Sequence, residues 1–330
     1  MSFTRRARRF FRGHEFRSSL SALRGQTASF RAARIVVRCY YAVVLFFAAT
    51  TMQDWSGYLD RREALPLWPV WWLHAVPLQA GMLGILAGYL VAAFLGAVFS
   101  DRRWARVLAF VGPLEFVALD NSFGKINHNY HLWVLTAFGL VFLPDIGARA
   151  ATRTERQRYV TVFWACQAIV LLTYTMSGVG KVAGAIYQLC AGQNNILMPT
   201  GLAAIVADRL LQTNSTSWLG PWFVAHPWFG WPLGLASIYV ELFSFWVAFR
   251  PSLHRWWAAG LILFHIGVYL LMRISFSPAV LLVGVLFLAS PFRCEGESGW
   301  RAAEQLPLFG WVWRKAFPRL LRTTMSVRSL

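Results

Sequence analysis

Ionisable side chains inside long apolar runs are where chemistry is to be sought, because each costs about 2.5 to 3.5 kcal/mol to insert into a bilayer and has to be compensated. This sequence holds few of them. Glu241 stands in the run LGLASIYVELFSFWVAF and His265 in AAGLILFHIGVYLL. If their helices run antiparallel, the two lie at similar depth and can pair, either as a buried contact that fixes helix packing or as a proton relay or ligand contact. Glu115 follows Pro113 near the end of another run, where a carboxylate can simply be solvated or can reach a cation or ligand. The string Asn127-His128-Asn129-Tyr130-His131 opens a further run, and Asn127 or Asn129 can serve there as a helix N-cap. His128 and His131 share a helical face, but the other histidines are scattered, so no metal site is expected. Lys181 sits in TYTMSGVGKVAG. A lysine at a helix end ordinarily snorkels to the headgroups. The adjacent Gly178, Gly180 and Gly184 allow something more, the close approach of a second backbone or a flat ligand.

The elements that position these residues follow from composition. Hydrophobic residues make up 57% of the chain and charged residues 14%, against roughly 25% charged in a soluble domain, so a water-facing surface cannot be built. The apolar stretches approach the roughly 20 residues that cross a bilayer core. The expected fold is an all-α membrane protein, a polytopic bundle of about eight transmembrane helices at residues 35–52, 78–99, 104–119, 130–143, 159–176, 231–249, 256–272 and 276–290. The fourth and eighth runs are short for a full crossing. Two further segments, Leu65 to Pro77 and the stretch from Ser177 to Gly230 with Trp218, Trp222 and Trp228, are too apolar for ordinary loops. They are expected to lie in the outer interface, where tryptophan prefers to sit.

Charge orients the bundle. With eight spans, 26 of the 32 basic residues fall on one side, which the positive-inside rule makes cytoplasmic. Both termini are then inside. The domains expected are a basic cytoplasmic arm at 1–34, a transmembrane domain at 35–291 and a basic cytoplasmic tail at 292–330. Residues 1 to 38 hold ten Arg against Glu15, with Phe3, Phe10, Phe11 and Phe16 interleaved, the pattern of a membrane-surface helix or of plain disorder. The net charge of +18 points to anionic lipid headgroups as partners, not nucleic acid; nothing names a protein partner. No cleavable signal is evident, and arginine and tryptophan usage suits a bacterial inner membrane. Cys39, Cys166, Cys190 and Cys294 form no CxxC pair, so a dithiol redox site is not expected.

Four segments carry a resemblance to a known family. The opening RAARIVVRCYYAVVLFFAATTMQDWSGYLDRREALPLWP, the segment NHNYHLWVLTAF, the small-residue run LLTYTMSGVGKV, and YVELFSFWVAF followed by LFHIGVYLLMRISFSPAVLL resemble the horizontally transferred transmembrane domain (HTTM) family. That family shares its domain with vitamin K-dependent gamma-carboxylase. The resemblance covers roughly residues 30 to 292. It implies a catalytic lysine at Lys181, a supporting histidine at His128 with Asn127 and Tyr130 beside it, and a late glutamate and histidine at Glu241 and His265. It also implies a reduced, vitamin K-like quinone as co-substrate, although no residue demands a cofactor outright. Two departures stand out: Lys181 is followed by VAGAIYQ in place of a second lysine and an acidic continuation, and there is no large luminal domain after the last run. Three functions follow as alternatives: a quinone- or lipid-handling enzyme with an outward site of Lys181, His128, Asn127 and Tyr130, with His131 and Glu115 also contacting substrate; a non-catalytic transporter or assembly factor with Glu241 and His265 as relay; and a metal-dependent oxidase, which the single HxxH pair disfavours.

Overall fold

Capping side chains open two of the long helices a few residues ahead of their apolar runs. In the computed structural model, which describes residues 26–146, 151–294 and 304–310, Ser29 Oγ accepts a hydrogen bond from Ala32 N (3.2 Å) and opens α1, Phe30–Gln53. A capping box between Thr152 and Glu155 opens α5, Arg153–Cys190, and satisfies the backbone N–H groups of both residues. Between them lie α2 (Leu78–Val98), α3 (Arg103–Asn121) and α4 (His131–Val141). After α5 come α6 (Gly201–Gln212), α7 (Pro227–Leu242), α8 (His254–Met272) and α9 (Ser277–Val283), the last continued by a π turn at Gly284–Leu288. Short segments β1 (Gln26–Ala28) and β2 (Phe292–Cys294) pair antiparallel, with Thr27 opposite Arg293, and tie the entry to the exit of the bundle. The basic arm up to residue 25 and most of the basic tail lie outside the described residues.

Four helical stretches, Phe30–Gln53, Leu78–Val98, Arg153–Cys190 and Pro251–Met272, are long and apolar enough to cross a membrane, and they mark the chain as a membrane protein. The other four expected crossings are helical but do not qualify alone. α3 is long enough but carries Arg103, Arg106, Glu115 and Asp120. α4, at 11 residues, is only about 16 Å long against a hydrocarbon core of about 30 Å. α7 contains Pro232 and ends at Leu242, where Thr175 Oγ1 accepts the hydrogen bond of Phe245 N (2.8 Å). α9 with its π turn is similarly short. In the opposite direction, α5 does not stop near residue 176. It runs on through Lys181 to Cys190, so Lys181 lies within a helix and not at its end.

The core is a stack of aromatics and small residues between α1, α2, α4 and α5. The Tyr40 and Trp133 rings stack with centroids 5.0 Å apart, and Trp133 Nε1 donates to the Pro278 carbonyl (2.8 Å). α2 and α3 touch at Gly112, where a Cβ would lie 2.8 Å from that of Ala92 and 3.2 Å from Tyr89 Cα; only glycine admits that approach.

The two ends of the bundle differ in chemistry. At the basic end Arg34 grips Asp101 with two hydrogen bonds (3.2 and 2.6 Å) and Arg38 adds a third (3.0 Å). Beside them Arg106, wholly buried, donates to the carbonyls of Ser100 and Leu143 and to Asp145. Burial alone would favour the neutral Asp101 acid, but the hydrogen bonds from Arg34 and Arg38 outweigh it and hold this carboxyl below the usual carboxylate range. At the opposite end α6 and the turn Gly220–Ala225 pack on the end of α8 through Leu202, Val206, Phe223 and Leu271. Trp218 and Trp228 are left exposed there (82% and 67%).

Candidate functional site

Spacing along α5 puts Tyr174, Ser177 and Lys181 on one face, three and four residues apart. That face meets α7 at Gly178, where a Cβ would lie 2.5 Å from Leu242 N and 2.7 Å from Leu242 Cα. The glycine therefore lets the two backbones touch beside Glu241. Gly180 and Gly184 have nothing comparable near them and leave the helix surface smooth on either side of Lys181.

Glu241 is 3% exposed, and both of its carboxylate oxygens are engaged. Lys181 Nζ forms an ion pair with Oε2, while Ser177 Oγ donates to Oε1 (3.2 Å). From α8, the Phe264 ring lies under the ammonium, 5.3 Å from Nζ to centroid. The next residue, His265, is buried and hydrogen-bonds Tyr174 Oη through Nε2 (2.8 Å). Its Nδ1 is buried with no hydrogen-bond partner among the described residues. The side chain of Lys181 keeps 35% of its surface exposed, so a charged pair sits with its carboxylate sealed and its amine reachable.

The arrangement corrects one expectation directly. Glu241 and His265 do not pair with each other: among the described residues they share no hydrogen bond, and each has another partner. A carboxylate gains more from an ammonium than from an imidazole, and Lys181 reaches it first.

Lys181 and His128 likewise share no hydrogen bond or ion pair among the described residues. Residues 127–131 build a second polar cluster, at the start of α4. Asn127 caps the short turn His128–Tyr130 by accepting from Asn129 N (3.1 Å), as its position suggested. Its side chain also donates to Asp120 (3.3 Å), which accepts from Tyr58 Oη (3.3 Å) as well. Burial, with the Asp120 charge second, pushes the Tyr58 phenol up. Asn121 contacts His131 Nε2 (3.3 Å), and the Nδ1 atoms of His128 and His131 lie 3.2 Å apart. Tyr130 packs edge-on against Phe47 and Phe116. Glu115 is half-buried and hydrogen-bonds nothing among the described residues. The reason for the separation is helix partnering: α4 packs along α5 near Cys166, which a Cβ on Gly139 would strike, whereas Lys181 faces α7 and α8 farther along. Between the clusters runs Phe276–Pro278, with the Phe276 ring 5.1 Å from that of His265.

Tyr174, Ser177, Asp120, Asn121 and Tyr58 were not singled out from sequence. For the first two a signal existed, the three- and four-residue spacing to Lys181; for the others it did not, because their roles depend on which helices meet. Among the described residues no group of three or more His, Cys, Asp or Glu is placed to hold a metal ion. No family model matches this chain, and neither does any curated protein or solved structure. The HTTM resemblance thus rests on its four motifs alone.

Proposed function

We propose that this chain is an eight-span membrane protein of the HTTM type, with both termini cytoplasmic in a bacterial inner membrane. In this reading it binds a hydrophobic, hydroxyl-bearing ligand such as a quinol against Lys181. The observation that carries the reading is the Lys181–Glu241 pair, with its sealed carboxylate, reachable amine and glycine-smoothed approach. Lysine is a base only as the neutral amine. Proton transfer to Glu241 across their contact would leave a neutral amine and a neutral acid. The amine then accepts the ligand's hydroxyl proton, leaving an oxyanion held beside the ammonium. Phe264 supplies an aromatic wall, and Tyr174 with His265 offers a second hydrogen-bonding station behind it. The His128 cluster is assigned a supporting role at the ligand's far end, reached past Phe276.

A second reading, a non-catalytic transporter or assembly factor that uses the same pocket, is favoured by one detail: the buried Nδ1 of His265 has no partner among the described residues, as a relay awaiting a proton acceptor would. The test common to both is to identify what the protein carries. Lipid extracts of the chain purified in mild detergent are expected to contain a quinone or quinol in near-stoichiometric amount, lost from Glu241→Ala. Extracts of the wild type with no such molecule overturn the quinol assignment.

A further inference from the structure

The segment Glu304–Gly310 folds back onto the far end of α7 and the turn that follows it. Pro307 accepts a hydrogen bond from Tyr239 Oη (2.7 Å), the Gln305 carbonyl accepts from Trp246 Nε1 (3.1 Å), and Ser252 Oγ donates to the Gln305 side chain (2.8 Å). The Phe309 ring meets Tyr239 edge-on at 5.3 Å. These contacts leave a cavity of about 560 Å³ walled by Phe243, Trp246, Arg250, Glu304, Leu306 and Leu308, within the size range of small-ligand sites.

The lining has a specific chemistry. Arg250 lies 4.1 Å over the Trp246 ring, and its one hydrogen bond among the described residues is a long contact with the Phe249 carbonyl (3.4 Å). It has no carboxylate partner there. Glu304 lines the same cavity and likewise has no partner among the described residues. One cation and one anion thus face a shared space without neutralising each other, above apolar walls. Leu308 is held at φ +63°, a conformation costly for a side chain of this kind, and is 69% exposed at the mouth with Phe309 (58%) and Trp246 (44%). An apolar mouth with a charged pair inside suits a ligand that arrives through lipid.

We propose that this cavity is a binding site for one membrane phospholipid bearing a phosphate and a primary ammonium, with its phosphate on Arg250, its ammonium on Glu304 and an acyl chain along Phe243, Leu306 and Leu308. A zwitterionic headgroup satisfies both unpaired charges at once. A purely anionic one would leave Glu304 facing it, and a soluble phosphate compound would leave the apolar walls wet. The site is distinct from the Lys181 pair and does not depend on the function assigned to it.

The test titrates the full chain in mild detergent with dioleoyl phosphatidylethanolamine, phosphatidylglycerol and phosphatidylcholine, and with soluble O-phosphoethanolamine, read by native mass spectrometry. Phosphatidylethanolamine is expected to bind about tenfold more tightly than the other two lipids, the effect of one charge-assisted hydrogen bond, and O-phosphoethanolamine not measurably. Arg250→Gln should weaken phosphatidylethanolamine binding by about the same factor. Glu304→Gln, a change at a half-buried position that keeps the fold even if Arg250→Gln does not, should erase the preference over phosphatidylglycerol. Equal binding of the three lipids by the wild type, an unchanged preference in Glu304→Gln, or soluble phosphoethanolamine binding as tightly as the lipid would each overturn the assignment.

Discussion

The Lys181 and His128 clusters are made from similar side chains, yet they differ in depth and in what they leave unsatisfied. Around His128 the polar groups close on one another: Asp120 receives Tyr58 and Asn127, and Asn121 meets His131, with His128 exposed at the edge. Around Lys181 a carboxylate is buried, its counter-ion is partly in the open, and a histidine nitrogen has no partner among the described residues. An exposed network of this kind is explained by capping and solvation. A buried charge pair with leftover hydrogen-bonding capacity is not, because removing it in favour of apolar packing is often neutral or stabilising. The comparison teaches that depth, more than motif density, separates a site from a well-capped helix start.

The comparison breaks first at Glu241. Glu241→Ala strands Lys181 and is expected to cost about 3 kcal/mol, the low end for a broken buried pair because the lysine is partly exposed; thermal unfolding in detergent reads it. A loss under about 1 kcal/mol would place the pair with ordinary surface ion pairs. Next comes Gly178→Ala, whose added methyl meets the α7 backbone at 2.5 Å and should cost about 2 kcal/mol by overpacking. Gly180→Ala, with open space around it, serves as the matched control and should raise stability by about 0.5 to 1 kcal/mol through helix propensity.

The basic end supplies a pH-dependent contrast. Because the Asp101 carboxyl is held below its usual range in the folded protein, its contribution is fully present above the unfolded value near 4 and is lost as pH falls through the lower folded value. Melting temperatures taken from pH 6 down to pH 3 should therefore drop less steeply for Asp101→Asn than for the wild type, from a starting point about 1 kcal/mol lower. Identical acid limbs would remove Asp101 from the account. The smallest effect is expected at His128: His128→Ala, at an exposed position, should change stability by no more than about 0.5 kcal/mol. A larger loss there would make the His128 cluster more than a capped helix start.

The all-α class was legible in the sequence because hydropathy marks the apolar runs: each of the eight expected runs is largely helical and α2 begins at the residue expected, while four helices are long and apolar enough to cross a membrane. What was not legible depends on partners. The shortness of the fourth run was visible in the sequence, but the break of α7 at Phe243, met by Thr175 from α5, cannot be read from either run alone. The extension of α5 past Lys181 is hidden because its last turns, GAIYQLC, look like an interfacial loop by composition. The insertion-cost rule did select Lys181, Glu241 and His265, but the register between α5, α7 and α8 decides who pairs with whom, and one sequence holds no record of register. Gly178 was a true signal of close backbone approach, and its neighbours Gly180 and Gly184 were not, since only the first faces α7. Arg106 was overlooked because an arginine near a helix start reads as solvated, whereas the turn at Ser100 and the end of α4 at Leu143 fold over it.

The proposed role of Lys181 is that of a base held in place by Glu241, and one substitution separates that role from anchoring. Lys181→Arg keeps the positive charge and the ion pair but supplies no neutral base at ordinary pH. With a quinol delivered in detergent micelles, Lys181→Arg is expected to insert normally, retain the ligand and lose turnover, and a small added amine should restore part of the turnover of Lys181→Ala. Full turnover in both Lys181→Arg and Lys181→Ala would contradict the account and leave Lys181 as a structural counter-ion for Glu241.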